Sequence, residues 1–236
     1  MHRMVLVTAG VAVVVVVTGI ILARRVQSED KDDERRSTGE FGLPLQQVPV
    51  SQTTDGTEQR VTRIVARCVR EVRERALKEV GVFRIAGNHE RVLELCTIPS
   101  DQWDLSKEST PTVCSLLKRF FSQLPQALLP HDEVIALANV ATDSEVAEAH
   151  KLLMSLDERE RAALVCLSRL CADIDANRED NLMPLSSLAK IWSGSLIREP
   201  EGTDPVTQMS NVTVAARGIQ RLLRVAATVD WTDSTD

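Results

Sequence analysis

The chain has 236 residues and 43% hydrophobic content, which is enough for one medium-sized domain with a filled core and some appendages. Aromatic residues make up only 3% and tyrosine is absent, so the core is predicted to be aliphatic. A formal net charge of -6 argues against a nucleic-acid-binding protein, because such proteins carry a basic face.

The first segment, residues 4–23, is almost wholly apolar. A run of about 20 such residues is long enough to span a bilayer as a helix. A cleaved signal peptide is the alternative, but the run is longer than a signal core and Ala23-Arg24 is a poor cleavage site. The sequence therefore predicts a transmembrane anchor over residues 1–25. Arg24 and Arg25 follow the run, which favours a cytosolic location for everything after it. The predicted localisation is a single-pass membrane protein with its helical domain facing the cytosol, in a membrane that the sequence does not specify.

A charged segment comes next and includes the run E-D-K-D-D-E-R-R at residues 29–36. This composition is typical of a solvated, flexible stalk, predicted here over residues 26–40. Apolar residues return at Phe41. The globular domain is predicted over residues 41–230, followed by a polar tail at 231–236.

From Val61 onward, apolar residues recur at the three-and-four spacing of helices with one buried face. Helices are predicted over 61–72, 89–96, 110–124, 131–140, 144–156, 157–175, 184–197 and 211–229. Thr110 is predicted to cap its helix with Pro111 in the first turn, and Asp157 is predicted to cap the longer helix. The predicted fold class is all-α, a compact multi-helix bundle of roughly eight or nine helices.

Side chains suited to other chemistries show no supporting pattern. The five cysteines include no C-x-x-C pair and mostly fall on apolar stripes, which favours buried thiols in a reducing compartment over a metal site. The histidines lack ligand spacing. The serines, Ser115 among them, lack the glycine elbow and paired histidine of a hydrolase.

Arg84 stands in the segment G-V-F-R-I-A-G-N, residues 81–88, between two glycines that allow sharp bends. Val82, Phe83 and Ile85 are expected to anchor this segment on a core while the arginine points outward. Taken alone, the segment fits either a surface ion pair or a planar cation offered to a partner's phosphate site.

Three separated segments resemble the Rho GTPase-activating protein (RhoGAP) domain family. They are E-V-G-V-F-R-I-A-G at 79–87, V-C-S-L-L-K-R-F-F-S-Q-L-P-Q-A-L-L at 113–129 and N-L-M-P-L-S-S-L-A-K-I-W at 181–192. The first is similar to the family's arginine-finger loop, the second to its helix with a Leu-Pro-x-x-Leu exit, and the third to its Asn-x-Met helix. The resemblance covers roughly residues 41–230, with the segments in the family's order.

The resemblance implies a role for particular residues. Arg84 matches the arginine finger that enters the GTPase site, and Lys118 matches a basic residue that supports the finger and the GTPase contact. A second basic position of the family is Ser122 here, and its asparagine position is Ser187. Arg119 is adjacent but about 100° round the helix from Lys118.

Asn181 also matches the family, and its first role is expected to be that of a structural cap. The predicted GTPase-binding set is therefore Lys118, Arg119, Ser122, Ser187 and Asn181. Arg84 is expected to be exposed at the rim of a groove, with Lys118 on the same face.

The function implied is that of a GTPase-activating protein for a Rho- or Rac-family small GTPase, anchored to a membrane. The alternative, suggested by the departures at Ser122 and Ser187, is a weak or inactive RhoGAP-like membrane adaptor. Whether the chain counts as an enzyme is left open by these alternatives. The resemblance implies no metal or cofactor of its own, since GTP and magnesium belong to the partner.

Overall fold

The computed structural model describes residues 39–51 and 60–229. Nine α-helices occur in these residues: α1 Arg63–Arg75, α2 His89–Cys96, α3 Thr110–Ser122, α4 His131–Asn139, α5 Glu145–Ser155, α6 Glu158–Ala176, α7 Arg178–Asn181, α8 Leu185–Leu196 and α9 Pro205–Ala226. Short 3-10 turns cover Leu45–Gln47, Ser100–Gln102, Leu105–Lys107 and Thr142–Ser144. The only β-type pairing in the described residues is an isolated bridge between Val50 and Thr62. The all-α prediction is confirmed.

The helix ends follow from local chemistry in some places and depart from the prediction in others. Asp157 begins α6 with a capping box, in which its Oδ1 accepts from the Glu160 N–H at 2.8 Å and its own N–H donates to Glu160 Oε2 at 3.1 Å. Thr110 is the first residue of α3 rather than its cap, because Ser109 occupies that position. The last helix begins at Pro205, earlier than predicted, and the short helix α7 was not predicted.

The helices pack in two groups that share α6. The longest helix, α9, packs against α8, α4, α6 and α5, while α1 packs against α3 and α6. Contacts between α3 and α8 close the bundle. The Arg84 segment follows α1 and packs on both α3 and α8, through the hydrogen bond from Lys118 to Phe83 O and the ring contact between Phe83 and Trp192.

Aromatic residues are few, but six of them form a continuous chain through the core. The ring contacts run in this order: Trp103, Phe41, Phe120, Phe121, Trp192 and Phe83, with neighbouring ring centres 5.0–6.2 Å apart. All six residues are buried. The prediction of an aliphatic core is therefore incomplete, because these six aromatic residues are buried in the core and contact one another.

Glu145 is a buried carboxylate that joins three helices. It accepts from Arg224 Nη1 at 2.9 Å and lies 3.2 Å from Arg221 Nε. Arg221 Nη1 also donates to the carbonyl oxygens of Leu137 and Val140, each at 2.8 Å. The cluster ties α5 and α9 to the end of α4.

The predicted localisation is wrong as far as the structure describes the chain: within 39–51 and 60–229, no helix combines the length and the apolar character that crossing a membrane requires. The predicted anchor at residues 1–25, most of the predicted stalk at 26–40 and the tail at 231–236 lie outside the described residues. The domain boundaries stay predictions.

Candidate functional site

A tight segment of residues 81–88, called the Arg84 loop below, comes between α1 and α2. Two of its residues, Gly81 at φ 77° and Phe83 at φ 65°, adopt the left-handed backbone conformation. For a residue with a side chain this conformation costs about 1–2 kcal/mol. Packing offsets the cost, because the Phe83 ring is 1% exposed and meets Trp192 edge-on with ring centres 5.0 Å apart. The aromatic side chain anchors the loop on the core.

Arg84 follows this anchor and is exposed. Among the residues that the structure describes, no hydrogen bond or ion pair engages its guanidinium. Its backbone N–H donates to Gly81 O at 2.8 Å. Gly81 leaves little room for a side chain, since a Cβ there would lie 3.3 Å from Arg84 Nη2 and 3.2 Å from Ile85 Cγ1. The guanidinium rests over a glycine and is available to an external anion.

Helix α3 holds the loop through three polar side chains. Lys118 Nζ donates to Phe83 O at 2.8 Å, and Ser115 Oγ accepts from the Gly87 N–H at 3.0 Å. Thr112 Oγ1 accepts from the N–H of the residue after Gly87 at 3.4 Å. Since residues three apart lie on one face of a helix, these side chains form a single polar stripe under the loop.

The far end of the loop is fixed by close backbone packing. A Cβ on Gly87 would lie 2.4 Å from Thr112 Cα and 2.6 Å from Pro111 O, so only glycine fits against α3. Next along the chain, Asn88 caps α2 by accepting from the Arg91 N–H at 3.0 Å. The loop is therefore held at both ends.

Burial shapes the charges under the loop. It lowers the pKa of Lys118 below the usual value for lysine, because the charged ammonium loses solvation. Burial also raises the pKa of the neighbouring Cys114 thiol to about 12, so this thiol is neutral at physiological pH. In this buried setting the Lys118 ammonium donates its hydrogen bond to the Phe83 carbonyl oxygen.

Asn181 supports the loop from the opposite side. Its Nδ2 donates to Leu77 O and Ile174 O, each at 2.7 Å, and its Oδ1 accepts from the Met183 N–H at 2.7 Å. Its carbonyl oxygen accepts from the Gly81 N–H at 2.8 Å. The sequence grouped Asn181 with the GTPase-binding residues, but its side chain is fully buried and cannot touch a partner. Its role in this structure is to position the loop.

The remaining predicted site residues lie on α3 and α8, outside the Arg84 loop. Ser122 is exposed in the last turn of α3, and its hydroxyl donates to Arg119 O at 3.0 Å. Arg119 is half-buried, and its Nη2 donates to the side-chain amide oxygen of Gln123 at 2.9 Å. Ser187 is half-buried in the first turn of α8, and its hydroxyl has no hydrogen-bond partner in the described part of the chain.

Arg198, which the sequence analysis did not single out, lies beside Ser122. It donates from Nη2 to Ser122 O at 2.8 Å and to Leu124 O, and from Nη1 to Pro125 O at 3.2 Å. The side chain is exposed and satisfies carbonyl groups left open at the end of α3. No local pattern could identify it, because Arg198 follows α8 and reaches α3 only in the fold.

No metal cluster is formed by the described residues, since no group of three or more His, Cys, Asp or Glu side chains could hold an ion. A surface cavity of about 300 Å³ lies between residues 44–46 and residues 124–128, with Glu160 at its edge. Arg84 does not line this cavity, which is therefore not the groove expected beside that residue.

Comparison with known proteins identifies relatives. A family model described as the RhoGAP domain matches residues 62–201. Human Rho GTPase-activating protein 26 is 28% identical over 152 residues, which cover 59% of this chain and 19% of that protein. Mouse Rho GTPase-activating protein 22 is 28% identical over 174 residues, which cover 68% of this chain and 24% of that protein. The chain spans about a fifth to a quarter of the length of these relatives.

Solved structures share the fold. The crystal structure of human Rho GTPase activating protein 15 superposes with a TM-score of 0.68 at 21% identity, covering 80% of this chain and 90% of that chain. The BH domain from GRAF, the GTPase regulator associated with focal adhesion kinase, superposes with a TM-score of 0.62 at 24% identity, covering 70% and 91% respectively. At these identities the likeness shows the fold alone.

Proposed function

This chain belongs to the RhoGAP family, and we propose that it accelerates GTP hydrolysis by a Rho-family small GTPase, with Arg84 as the arginine finger. The observation that carries the proposal is the state of the Arg84 side chain. It is exposed and has no hydrogen-bond or ionic partner among the described residues, on a loop held at both ends. A cation held in this way can enter a partner's site with little reorganisation.

The mechanism follows from charge. The transferring γ-phosphoryl group develops negative charge, and an arginine supplied from outside increases the hydrolysis rate by about 10³–10⁵. Arg84 would supply that charge, while Lys118 holds the carbonyl of the preceding residue at 2.8 Å and so fixes the direction in which the arginine leaves the loop. In this proposal GTP and magnesium belong to the partner, and this chain contributes no cofactor.

A second candidate function is binding to a Rho-family GTPase without acceleration. It is favoured by Ser122 and Ser187, which stand where the family resemblance leads us to expect a basic residue and an asparagine. A short hydroxyl side chain reaches less far than either. Under this alternative the chain would occupy a GTPase surface and leave the hydrolysis rate unchanged.

The test is single-turnover GTP hydrolysis by a panel of Rho, Rac and related GTPases, with the purified full chain added. We expect acceleration by the wild type, and loss of that acceleration in Arg84→Ala with binding largely retained. Arg70→Ala is the matched control, because Arg70 is a second exposed arginine without a partner in the described residues. Absence of acceleration across the panel would overturn the proposal.

A double variant separates the two candidate functions. Ser122→Arg with Ser187→Asn introduces the side chains that the family resemblance leads us to expect. If the wild type binds a GTPase without accelerating hydrolysis and the double variant accelerates it, the binding function is correct. If the wild type already accelerates hydrolysis, the activator function is correct.

A further inference from the structure

Residues 39–51, called the strap below, lie outside the segment that the family model matches and contact several helices of the bundle. The strap begins in close contact with the end of α2, since a Cβ on Gly39 would lie 2.6 Å from Cys96 O. The Glu40 carboxylate accepts from Ser100 twice, from the N–H at 3.2 Å and from the hydroxyl at 2.6 Å. Two independent contacts therefore fix the start of the strap.

Hydrogen bonds also fix the middle and the end of the strap. Arg159, on α6, donates from Nη1 to Gln46 O at 2.7 Å and to Val48 O at 3.1 Å. The Ser51 N–H donates to Val61 O at 2.9 Å, just before α1 begins. The strap is thus held by residues from separate parts of the chain, and its course over the bundle is set by the fold.

Phe41 is the strap residue that joins the series of aromatic ring contacts. Its side chain is buried, and its ring meets Phe120 edge-on with ring centres 5.8 Å apart. From Phe120 the contacts continue through Phe121 and Trp192 to Phe83, with neighbouring ring centres 5.0–5.9 Å apart. Because close-packed buried rings cannot shift independently, a displacement of one ring is passed to the next. The series therefore connects the strap to the Arg84 loop.

The far end of the series is the residue that depends most on packing. Phe83 has a left-handed backbone, which a residue with a side chain disfavours, and its ring contact with Trp192 offsets that cost. Looser packing of Trp192 reduces the compensation, so that ordinary backbone conformations become accessible to Phe83. Each of these conformations redirects Arg84, which is the next residue.

We propose that Phe41 is a positioning residue for Arg84, and that the strap keeps the Arg84 loop in its observed conformation through the aromatic ring contacts. The effect on hydrolysis rests on the proposed function, whereas the effect on the loop is a property of this chain alone. Arg84 contributes mainly in the transition state, so its misplacement lowers the maximal rate more than the affinity for the GTPase.

The test compares Phe41→Leu with Val48→Ala in the full chain. Leucine removes the ring that contacts Phe120 and keeps an apolar side chain at this position. Val48 is the matched control, because it lies on the same strap, is 1% exposed and takes part in none of the ring contacts described above. Both changes remove buried apolar atoms from the strap, and only the first interrupts the aromatic series.

Each variant is measured in three ways. Thermal unfolding gives its stability, and single-turnover hydrolysis gives the half-saturating concentration and the maximal rate. Hydrogen exchange, resolved by NMR, reports on the loop itself through the amides of Arg84 and Ile85, which donate to Gly81 O at 2.8 and 3.0 Å. This last measurement requires no GTPase.

We expect both variants to unfold at a lower temperature than the wild type. Only Phe41→Leu should speed exchange of the Arg84 and Ile85 amides, by about tenfold, and lower the maximal rate by a similar factor with the half-saturating concentration nearly unchanged. Equal exchange in Phe41→Leu and the wild type overturns the inference, as does equally fast exchange in Val48→Ala. Should Phe41→Leu lose its cooperative unfolding transition, Phe41→Met replaces it in the same comparison, since methionine adapts to irregular gaps.

Failure of this inference and failure of the proposed function give different results. If the wild type accelerates hydrolysis by no GTPase, the proposed function fails, while hydrogen exchange still decides whether the strap controls the Arg84 loop. If the wild type accelerates hydrolysis and Phe41→Leu changes exchange without lowering the maximal rate, Phe41 is not a positioning residue for the reaction and the inference is overturned.

Discussion

Lys118 donates a hydrogen bond from its ammonium group to the carbonyl oxygen of Phe83 at a distance of 2.8 Å. Phe83 has a left-handed backbone and immediately precedes Arg84. The lysine is half-buried, and its pKa is lowered because burial removes solvent from the charge. The desolvated ammonium group of Lys118 therefore holds the carbonyl group of Phe83, the residue directly before Arg84.

Lys118→Met tests this relationship, since methionine keeps much of the apolar stem and removes the donor. Loss of the hydrogen bond is expected to lower the free energy of unfolding by about 1–3 kcal/mol. A misplaced Arg84 is expected to lower the maximal acceleration by about 100-fold. Urea denaturation and single-turnover hydrolysis measure the two effects. Lys151→Met, a change at an exposed lysine on α5, should alter neither; equal effects of both changes would refute the relationship.

Gly81→Ala should destabilise the protein by about 1–2 kcal/mol, because a residue with a Cβ disfavours positive φ. The added Cβ would also press on the side chains of Arg84 and Ile85, so acceleration should fall as well. Gly194→Ala provides the opposite case. Gly194 lies within α8 with nothing inside 4 Å of an added Cβ, so alanine should stabilise the protein by about 0.5–1 kcal/mol. Thermal unfolding compares the variants, and a destabilised Gly194→Ala would contradict the reasoning.

Glu145→Gln should lower the free energy of unfolding by about 3 kcal/mol, since two arginines lose their buried counter-charge. The Glu145 side chain is 11% exposed and that of Arg221 is 16% exposed, so solvent cannot compensate fully. Glu148→Gln on the same helix is the control. Glu148 is 47% exposed and its ion pair with Lys151 spans 3.7 Å, which makes the expected cost below about 1 kcal/mol. Denaturant titration of both variants gives the comparison.

The five cysteines should differ in reactivity. None of them is in a disulfide, and every one except the half-buried Cys166 is buried. Because only the thiolate reacts, a pKa of about 12 leaves Cys114 almost unreactive at pH 8. Alkylation followed by mass spectrometry should label Cys166 in the native protein and the other four only in denaturant. Labelling of Cys114 at the rate of Cys166 would show that its environment is open.

The same burial makes stability depend on alkaline pH. The pKa values of Cys68, Cys114 and Cys171 are raised, chiefly because burial disfavours the thiolate. The unfolded chain ionises near the ordinary thiol value of about 8.5, so the stabilising contribution is complete below that pH and is lost as pH rises toward about 12. Denaturation at pH 8 and pH 10 measures the loss. Cys114→Ala should reduce the slope, and an unchanged slope would contradict this assignment.

Much of the fold could be predicted because apolar spacing reports directly on buried helix faces. The ranges expected for α2, α4 and α5 lie within a residue or two of those observed, and the Asp157 cap was readable from its local sequence. The start of α9 was missed because residues 205–210 lack an apolar stripe and become helical with the rest of the helix. Family membership rested on three motifs, and the match over residues 62–201 confirms it.

The supporting parts of the site were less accessible to sequence reasoning. Thr112 and Ser115 matter because α3 turns them toward the backbone of the Arg84 loop, and Ser115 was considered only as a nucleophile. Asn181 was included in the GTPase-binding set with a structural cap as its first expected role, and its buried side chain accepts from the Met183 N–H in that way. The roles of Arg84, Lys118, Arg119, Ser122 and Ser187 stay predictions.

The continuous series of aromatic ring contacts has a practical consequence for the preparation of a shortened recombinant form of this protein. Phe41 lies between Trp103 and Phe120 in this series of ring contacts, and all of α9 follows residue 201, so both lie outside the segment that the family model matches. A fragment trimmed to residues 62–201 would expose one edge of Phe120 and the apolar faces of α4 and α8, and should aggregate. A useful fragment must start before Phe41 and continue beyond Ala226.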